Sequence, residues 1–136
     1  MKVMIEEWAI KPDRAHATDA GLDLMAPSDG IIDPGQSALI DTGVHVQLPA
    51  GTCGILISKS GLNVKSGVVS TGLIDEGYTG SIMVKLYNHG NHRYIFHRGD
   101  KVTQLVVVPC MYEPVELVEQ IAGGDRGSRG FGSTGR

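Results

Sequence analysis

Ser81-Ile-Met-Val-Lys-Leu-Tyr-Asn88 decides the fold class, because Ile82, Val84 and Leu86 alternate with Met83, Lys85 and Tyr87. A period of two puts the first set on one face of a strand and the second set on the other. Val44, Val46 and Leu48 repeat the pattern against His45 and Gln47. Gly54-Ile-Leu-Ile57 and Gln104-Leu-Val-Val-Val108 are more continuously apolar and read as strands buried on both faces. Turn formers separate these runs: Asp29-Gly30, Asp33-Pro34-Gly35, Pro49-Ala-Gly51, Asn88-His-Gly-Asn91 and Arg98-Gly-Asp100. No segment carries a sustained stripe of helical period, and Gly61–Ser66 has room for at most a turn or two of helix. Many short strands at this spacing predict an all-β barrel or jelly-roll-like sandwich.

A chain of 136 residues makes one domain with its own core. The composition changes only after Ala122, dividing a domain over 1–122 from an arm over 123–136. In that arm six glycines alternate with Arg126, Arg129, Ser128, Ser133, Thr134 and one aromatic, Phe131. Without apolar periodicity it cannot bury a face, so it is expected to be mobile until something binds. Arginine forks, hydroxyls and glycine N–H groups are suited to phosphate, and a ring among them can stack on a base. The net charge of −3 argues against a nucleic-acid partner held by a basic surface, so any anion site must be local. Glu6 and Glu7 interrupt the start of the chain where a signal peptide needs an apolar run, and no run reaches membrane-span length. Cys53 and Cys110 sit beside apolar strands and read as reduced core thiols, so the expected setting is cytoplasmic, with no membrane partner.

Four further segments carry candidate chemistry. Gly72-Leu-Ile-Asp-Glu-Gly-Tyr-Thr-Gly80 reads as a hairpin, where Asp75 could orient and deprotonate a water and Tyr78 could pack on a sugar. The same residues also suit a plain β-turn. Ser58-Lys-Ser-Gly-Leu62 ends a strand with a cation, hydroxyls and a glycine turn, a candidate phosphate site that lacks the spacing of a Walker loop. In Asp19-Ala-Gly-Leu-Asp-Leu24, Asp23 stands between two leucines, as a solvent-facing acid or as a carboxylate behind a metal-bound phosphate. Arg98-Gly-Asp-Lys-Val-Thr-Gln-Leu105 turns into a strand, with the Gln104 amide available to phosphate or water. The histidines, at 16, 45, 89, 92 and 97, lack zinc-ligand spacing.

In this order the segments resemble the trimeric dUTP diphosphatases (dUTPases), whose five motifs all have counterparts here. They are Ala20-Gly-Leu-Asp-Leu24, Lys59-Ser-Gly-Leu62, Gly72-Leu-Ile-Asp-Glu-Gly-Tyr78, Arg98–Leu105 and Arg126-Gly-Ser-Arg-Gly-Phe-Gly-Ser-Thr-Gly135. The resemblance implies a distorted jelly roll or β-barrel (a β-clip), assembled as a homotrimer with sites at subunit interfaces. It implies Mg²⁺-dependent hydrolysis of dUTP to dUMP and pyrophosphate. Asp75 would activate the water that attacks the α-phosphorus, and Tyr78 would pack on the deoxyribose and exclude a 2′-hydroxyl. Backbone groups of the hairpin, Gly72 and Ile74 among them, would read uracil. Lys59, Ser60, Gly61 and Gln104 would contact phosphates, and Lys85 counts among the substrate-binding residues. Arg126, Gly132, Ser133 and Thr134 would close on the β- and γ-phosphates while Phe131 stacks on the base. No residue would bind Mg²⁺ directly: the substrate phosphates would carry it, with Asp23 and Gln104 reaching it through water.

Two positions depart from the family pattern. Lys59 stands where arginine is usual, keeping the charge but losing the bidentate fork. Arg129 stands where glycine is usual. The connection between Leu62 and Gly72 also reads as slightly short. A related scaffold, that of the dCTP deaminases, needs a glutamate on the strand after the hairpin. Lys85 there cannot accept the proton. A low-turnover, dUTP-binding regulatory trimer is the other reading, and Lys59 is the residue that favours it.

Overall fold

The alternation of Ser81–Asn88 becomes one strand of a curled sheet. In the computed structural model, which describes residues 1–124 and Gly127, the strands are β1 (Lys2–Ile5), β2 (Leu22–Met25), β3 (Gly30–Ile32), β4 (Ser37–Asp41) and β5 (Val44–Gln47). They continue as β6 (Thr52–Ile57), β7 (Val68–Ile74), β8 (Met83–Asn88), β9 (Tyr94–Phe96) and β10 (Lys101–Pro109), with one short helix, α1 (Ser60–Ser66), between β6 and β7. Six strands hydrogen-bond in the order β2-β10-β6-β7-β8-β4, and the pairs β1-β5 and β3-β9 complete the wall. Every ladder is antiparallel. The all-β, jelly-roll-like fold expected from the period of two is observed, with the sheet curled into a half-barrel.

The inward set of each strand fills one core. Ile82, Val84 and Leu86 are fully buried with Leu24, Ile32, Leu56, Val102 and Leu105, while Met83 and Tyr87 on the alternate positions of β8 stay exposed. Each such aliphatic side chain contributes about 1.5–3 kcal/mol by leaving water. Polar groups inside the core are satisfied. The Asn88 amide donates to the carbonyls of Ile32 and His92 at 2.8 and 2.9 Å, and the Ser70 and Thr103 hydroxyls meet at 2.6 Å.

One sequence expectation changes. The apolar runs of β6 and β10 are not buried on both faces: Ile57 is exposed, and Ile55, Val106 and Val108 are only half-buried. Among the described residues that outer face is left partly open. The short helix allowed at Gly61–Ser66 is present as α1, and with the first residues of β7 it makes up the connection between Leu62 and Gly72. Gly67 ends α1 in the left-handed region at φ 65°, and its N–H closes the last turn onto Asn63 and Leu62. A side chain there would also strike the Gly90 backbone, with a Cβ 2.7 Å from Gly90 N. After Pro109 the chain to 124 forms no further strand, and Met111, Val115, Leu117 and Ile121 are exposed.

Candidate active site

The residues singled out from the sequence gather at two ends of the six-stranded sheet. The ladder between β6 and β7 pairs Gly54 with Ile74, so Asp75 emerges beside Cys53. The ladder between β6 and β10 pairs Ile57 with Gln104, at the opposite end of β6. Four residues of strand separate the two, roughly 13 Å.

At the first end, β7 stops at Ile74, whose side chain is buried, and the chain turns. Asp75 is exposed and makes no ion pair among the described residues. The Tyr78 N–H donates to the Asp75 carbonyl at 3.1 Å, and its hydroxyl donates to the Ser81 carbonyl at 2.9 Å. These bonds fix the ring across the turn, half in solvent. A cleft of about 400 Å³ opens here, lined by Cys53, Leu73, Asp75, Glu76, Gly77, Cys110 and Tyr112. Glu76 holds the turn from beneath: its carboxylate accepts the Gly51 N–H and the Tyr112 hydroxyl, both at 2.8 Å. The Tyr112 hydrogen bond, followed by the Gly51 N–H, keeps the Glu76 carboxyl below its usual value. That bond to Glu76, reinforced by burial and by the negative charge, pushes the Tyr112 phenol up to about 12. Gly72 lies opposite Leu56 in the β6–β7 ladder, and Lys85 lies on β8 with its ammonium 6.0 Å from the Tyr87 ring centre.

The second end is cationic around one buried acid. Asp23 is almost fully buried on β2, yet the Lys59 and Lys101 ammoniums sit on its two oxygens at 2.6 and 2.7 Å. Burial pushes the Asp23 carboxyl up. The hydrogen bonds from Lys101 and Lys59, with their charges, outweigh it and hold the group below its ordinary value. Lys101 responds in the opposite sense, its pKa raised chiefly by the bond to Asp23. Ser60 and Gly61 open α1 behind Lys59, the N-cap residue, and the first intrahelical bond is Asn63 N–H to the Lys59 carbonyl at 3.0 Å. The earlier N–H groups of that turn therefore have no acceptor within the helix. Gln104 completes the cleft: its amide donates to the Ser58 carbonyl at 3.2 Å and lies against Gly21, where any Cβ would overlap the amide group.

The structure thus groups Asp23, Lys59 and Gln104, with Ser60 and Gly61 adjoining, and separately groups Asp75 with Tyr78, Gly72 and Ile74. Arg126, Phe131, Gly132, Ser133 and Thr134, like Arg129, lie outside the described residues. Lys101, Glu76 and Tyr112 carry no assignment in the sequence reading. For Lys101 the obstacle is a register shift between Lys101 and Thr103 in the β2–β10 ladder. That bulge brings Lys101 to the same carboxylate that Gln104 faces, which strict alternation forbids.

Comparison with known proteins identifies the family. The dUTPase family model matches residues 7–135. Deoxyuridine 5'-triphosphate nucleotidohydrolase of Clostridium acetobutylicum is 41% identical over 134 residues, covering 96% of this chain and 92% of its own. The mouse protein of the same name is 37% identical, with 98% and 83% covered. Among solved structures, Staphylococcus bacteriophage 80alpha dUTPase bound to dUPNHPP superposes with a TM-score of 0.90 at 30% identity, over 99% of this chain and 98% of the phage chain. A mutant dUTPase of phage phi11, described as coordinating a structural Mg(II) ion, gives 0.79 at 31% identity, over 88% and 96%. A family model spanning both ends of the sheet, and relatives this similar over nearly their whole length, make this chain a member of the dUTPase family.

Proposed function

We propose that this protein hydrolyses dUTP to dUMP and pyrophosphate, and that its working form is a homotrimer. The observation that carries the reading is the separation of the two clefts. One end of the sheet offers an exposed carboxylate without an ion-pair partner among the described residues, in the same turn as the Tyr78 ring; the other offers lysines, a hydroxyl and an amide around a buried acid. A nucleoside triphosphate needs both, and neither end alone supplies them. Juxtaposing the Asp75 end of one copy with the Lys59 end of another completes the set, and the uncovered apolar positions of β6 and β10 provide the contact.

In that arrangement Asp75 accepts a proton from a water aligned with the α-phosphorus. The water oxygen bonds to phosphorus as the bond to the bridging oxygen breaks, and pyrophosphate leaves. Positioning and charge neutralisation carry such a displacement, with no covalent intermediate. Tyr78 packs against the deoxyribose and leaves no room for a 2′-hydroxyl. Gly72 and Ile74 contribute only backbone to the base, since the first has no side chain and the second is buried. Lys59, Ser60, Gly61 and Gln104 hold phosphate oxygens, Lys85 contributes to substrate binding, and Arg126, Phe131, Gly132, Ser133 and Thr134 close from the arm.

Mg²⁺ supplies charge neutralisation on the triphosphate when bound. Among the described residues no cluster of three or more acidic, histidine or cysteine side chains is placed to ligate a metal. Both Asp23 oxygens already carry an ammonium, so the residues suit a water-mediated role at the ion and not direct coordination. No helix among the described residues is long and apolar enough to cross a membrane. We assign the protein to the cytoplasmic nucleotide pool, with dUTP and its own copies as partners, and no nucleic acid or membrane.

One observation favours a second reading, a dUTP-binding trimer with little turnover: Lys59 is already engaged with Asp23. Pyrophosphate release from dUTP, UTP, dTTP and dCTP, each with Mg²⁺ and again with EDTA, separates the two. Release from dUTP alone, abolished by EDTA, supports the hydrolase. Tight dUTP binding without release supports the regulator.

A further inference from the structure

The Asp75 cleft holds two thiols that the hydrolysis does not use. Cys53 lies on β6, and Cys110 is the first residue beyond β10. Cys53 pairs with Val108 and Thr52 with Pro109, and the Cys110 N–H donates to the Gly51 carbonyl at 2.8 Å. The two cysteines are therefore diagonal neighbours on one face of an antiparallel ladder. Directly across from Cys110 stands Gly51, which has no side chain to come between them. Both thiols are free, and both line the cleft with Asp75 and Glu76. Burial pushes the Cys53 thiol above its ordinary value, and the Cys110 thiol and the Asp75 charge act in the same direction. Half-buried Cys110 is thus the thiol that meets solvent first.

A disulfide needs Cα atoms about 4.4–6.8 Å apart, whereas diagonal neighbours start at about 7–8 Å. One side must move. Cys110 can, because it lies past the end of β10 and leads into a segment without further strand pairing. Its displacement would carry Tyr112, two residues on, whose hydroxyl holds Glu76 next to Asp75.

We propose that Cys53 and Cys110 form a dithiol site which low-molecular-weight disulfides convert to an intrachain disulfide, slowing turnover at Asp75. The second half rests on the role given to Asp75 above. The Cys110 thiolate attacks one sulfur of the small disulfide, forming a mixed disulfide and releasing one small thiolate. The Cys53 thiolate then attacks the Cys110 sulfur and expels the second. The two protons lost by the protein thiols end on the two released thiols, and the small disulfide is the species reduced.

The test uses the full chain, incubated with oxidised glutathione and digested without reductant. The expected result is the loss of two hydrogens in the intact mass and a single linked peptide pair containing Cys53 and Cys110. dUTP turnover should fall about tenfold, in keeping with the penalty for small displacements near reacting groups, and should return with dithiothreitol. Cys53→Ala should take one glutathione on Cys110 and form no bridge; should that core variant fail to fold, Cys110→Ser is read for loss of the bridge instead. Separate glutathione adducts on both cysteines, a bond between two chains, or no reaction at all would each overturn the dithiol site. A bridge with unchanged turnover would overturn its coupling to Asp75. Absence of turnover in the reduced protein would instead remove the hydrolase reading, and the mass would still decide the dithiol.

Discussion

Asp75 and Asp23 lie at opposite ends of the same antiparallel sheet and meet opposite surroundings. Asp75 follows β7 into an open turn, with no cation near enough to pair among the described residues. Asp23 is sealed in β2 beneath two lysines drawn from β10 and from the turn after β6. The first is left exposed and without an ion-pair partner among the described residues, which suits the proton-accepting role proposed for it. The second has its charge consumed by structure. A buried carboxylate with both oxygens paired is costly to disturb, so its first duty is to hold Lys59 and Lys101 in place. The difference teaches that the same residue type is left open or tied into the scaffold according to which cations the fold delivers to it.

The largest expected effect lies at the open end. Asp75→Asn should lower dUTP turnover by about 10²–10⁴-fold, the range for a lost general base, with the melting temperature and dUTP affinity nearly unchanged. Pyrophosphate release and calorimetric binding check this together. Turnover close to wild type would erase the contrast, because Asp75 would then be as structural as Asp23.

Replacing an acid at the closed end should show the inverse profile. Asp23→Asn keeps the shape but removes the charge that two ammoniums share, and should cost about 1.5–3 kcal/mol, the range for hydrogen bonds to charged groups. Urea unfolding of the two proteins is the measurement. The acid limb sharpens it. Because the folded-state pKa of Asp23 is lowered from 3.8, the unfolded chain binds the extra proton first as pH falls. The stabilisation is therefore complete above about pH 4 and is lost as pH drops through the lower folded value. Urea midpoints measured from pH 5 downward should fall more steeply for wild type than for Asp23→Asn. Parallel curves would mean that the lysines do not hold this carboxylate.

A smaller effect is expected from Lys59→Arg. Arginine restores a planar fork while still reaching Asp23, so the KM for dUTP should fall by about two- to fivefold, with kcat changed less, as expected for one added charge-assisted hydrogen bond. A change in kcat alone would move Lys59 from phosphate binding to the chemical step.

The same division explains what was legible in the sequence. Period-two alternation identified β5 and β8 because one face of each is buried within the chain. It overstated the burial of β6 and β10, whose outward apolar residues are only partly covered by the described residues, and a sequence does not say whose surface will provide the rest. Short strands such as β3 and β9 span three residues and carry too little pattern to register. Asp75 could be read from its turn because its environment is local. Asp23 between leucines reads equally as a surface acid; its burial depends on Lys59, 36 positions away, and on a bulge that turns Lys101 toward it. Glu76 was visible only as a member of a turn, since its partners, Gly51 and Tyr112, come from other parts of the chain.

That last network gives the mildest test, and it concerns how firmly the open end is held. The Tyr112 phenol is pushed up to about 12 by its bond to the Glu76 carboxylate. Glu76→Gln removes the negative charge and should bring the Tyr112 titration back toward 10, read as the alkaline absorbance change that Tyr112→Phe deletes. Turnover in Glu76→Gln should drop only a few-fold, since the amide can still accept the Gly51 N–H and keep the turn in place. A drop as large as that of Asp75→Asn would show that the turn, and not the carboxylate it presents, sets the rate. The open end would then depend on its supporting hydrogen bonds as much as the closed one does.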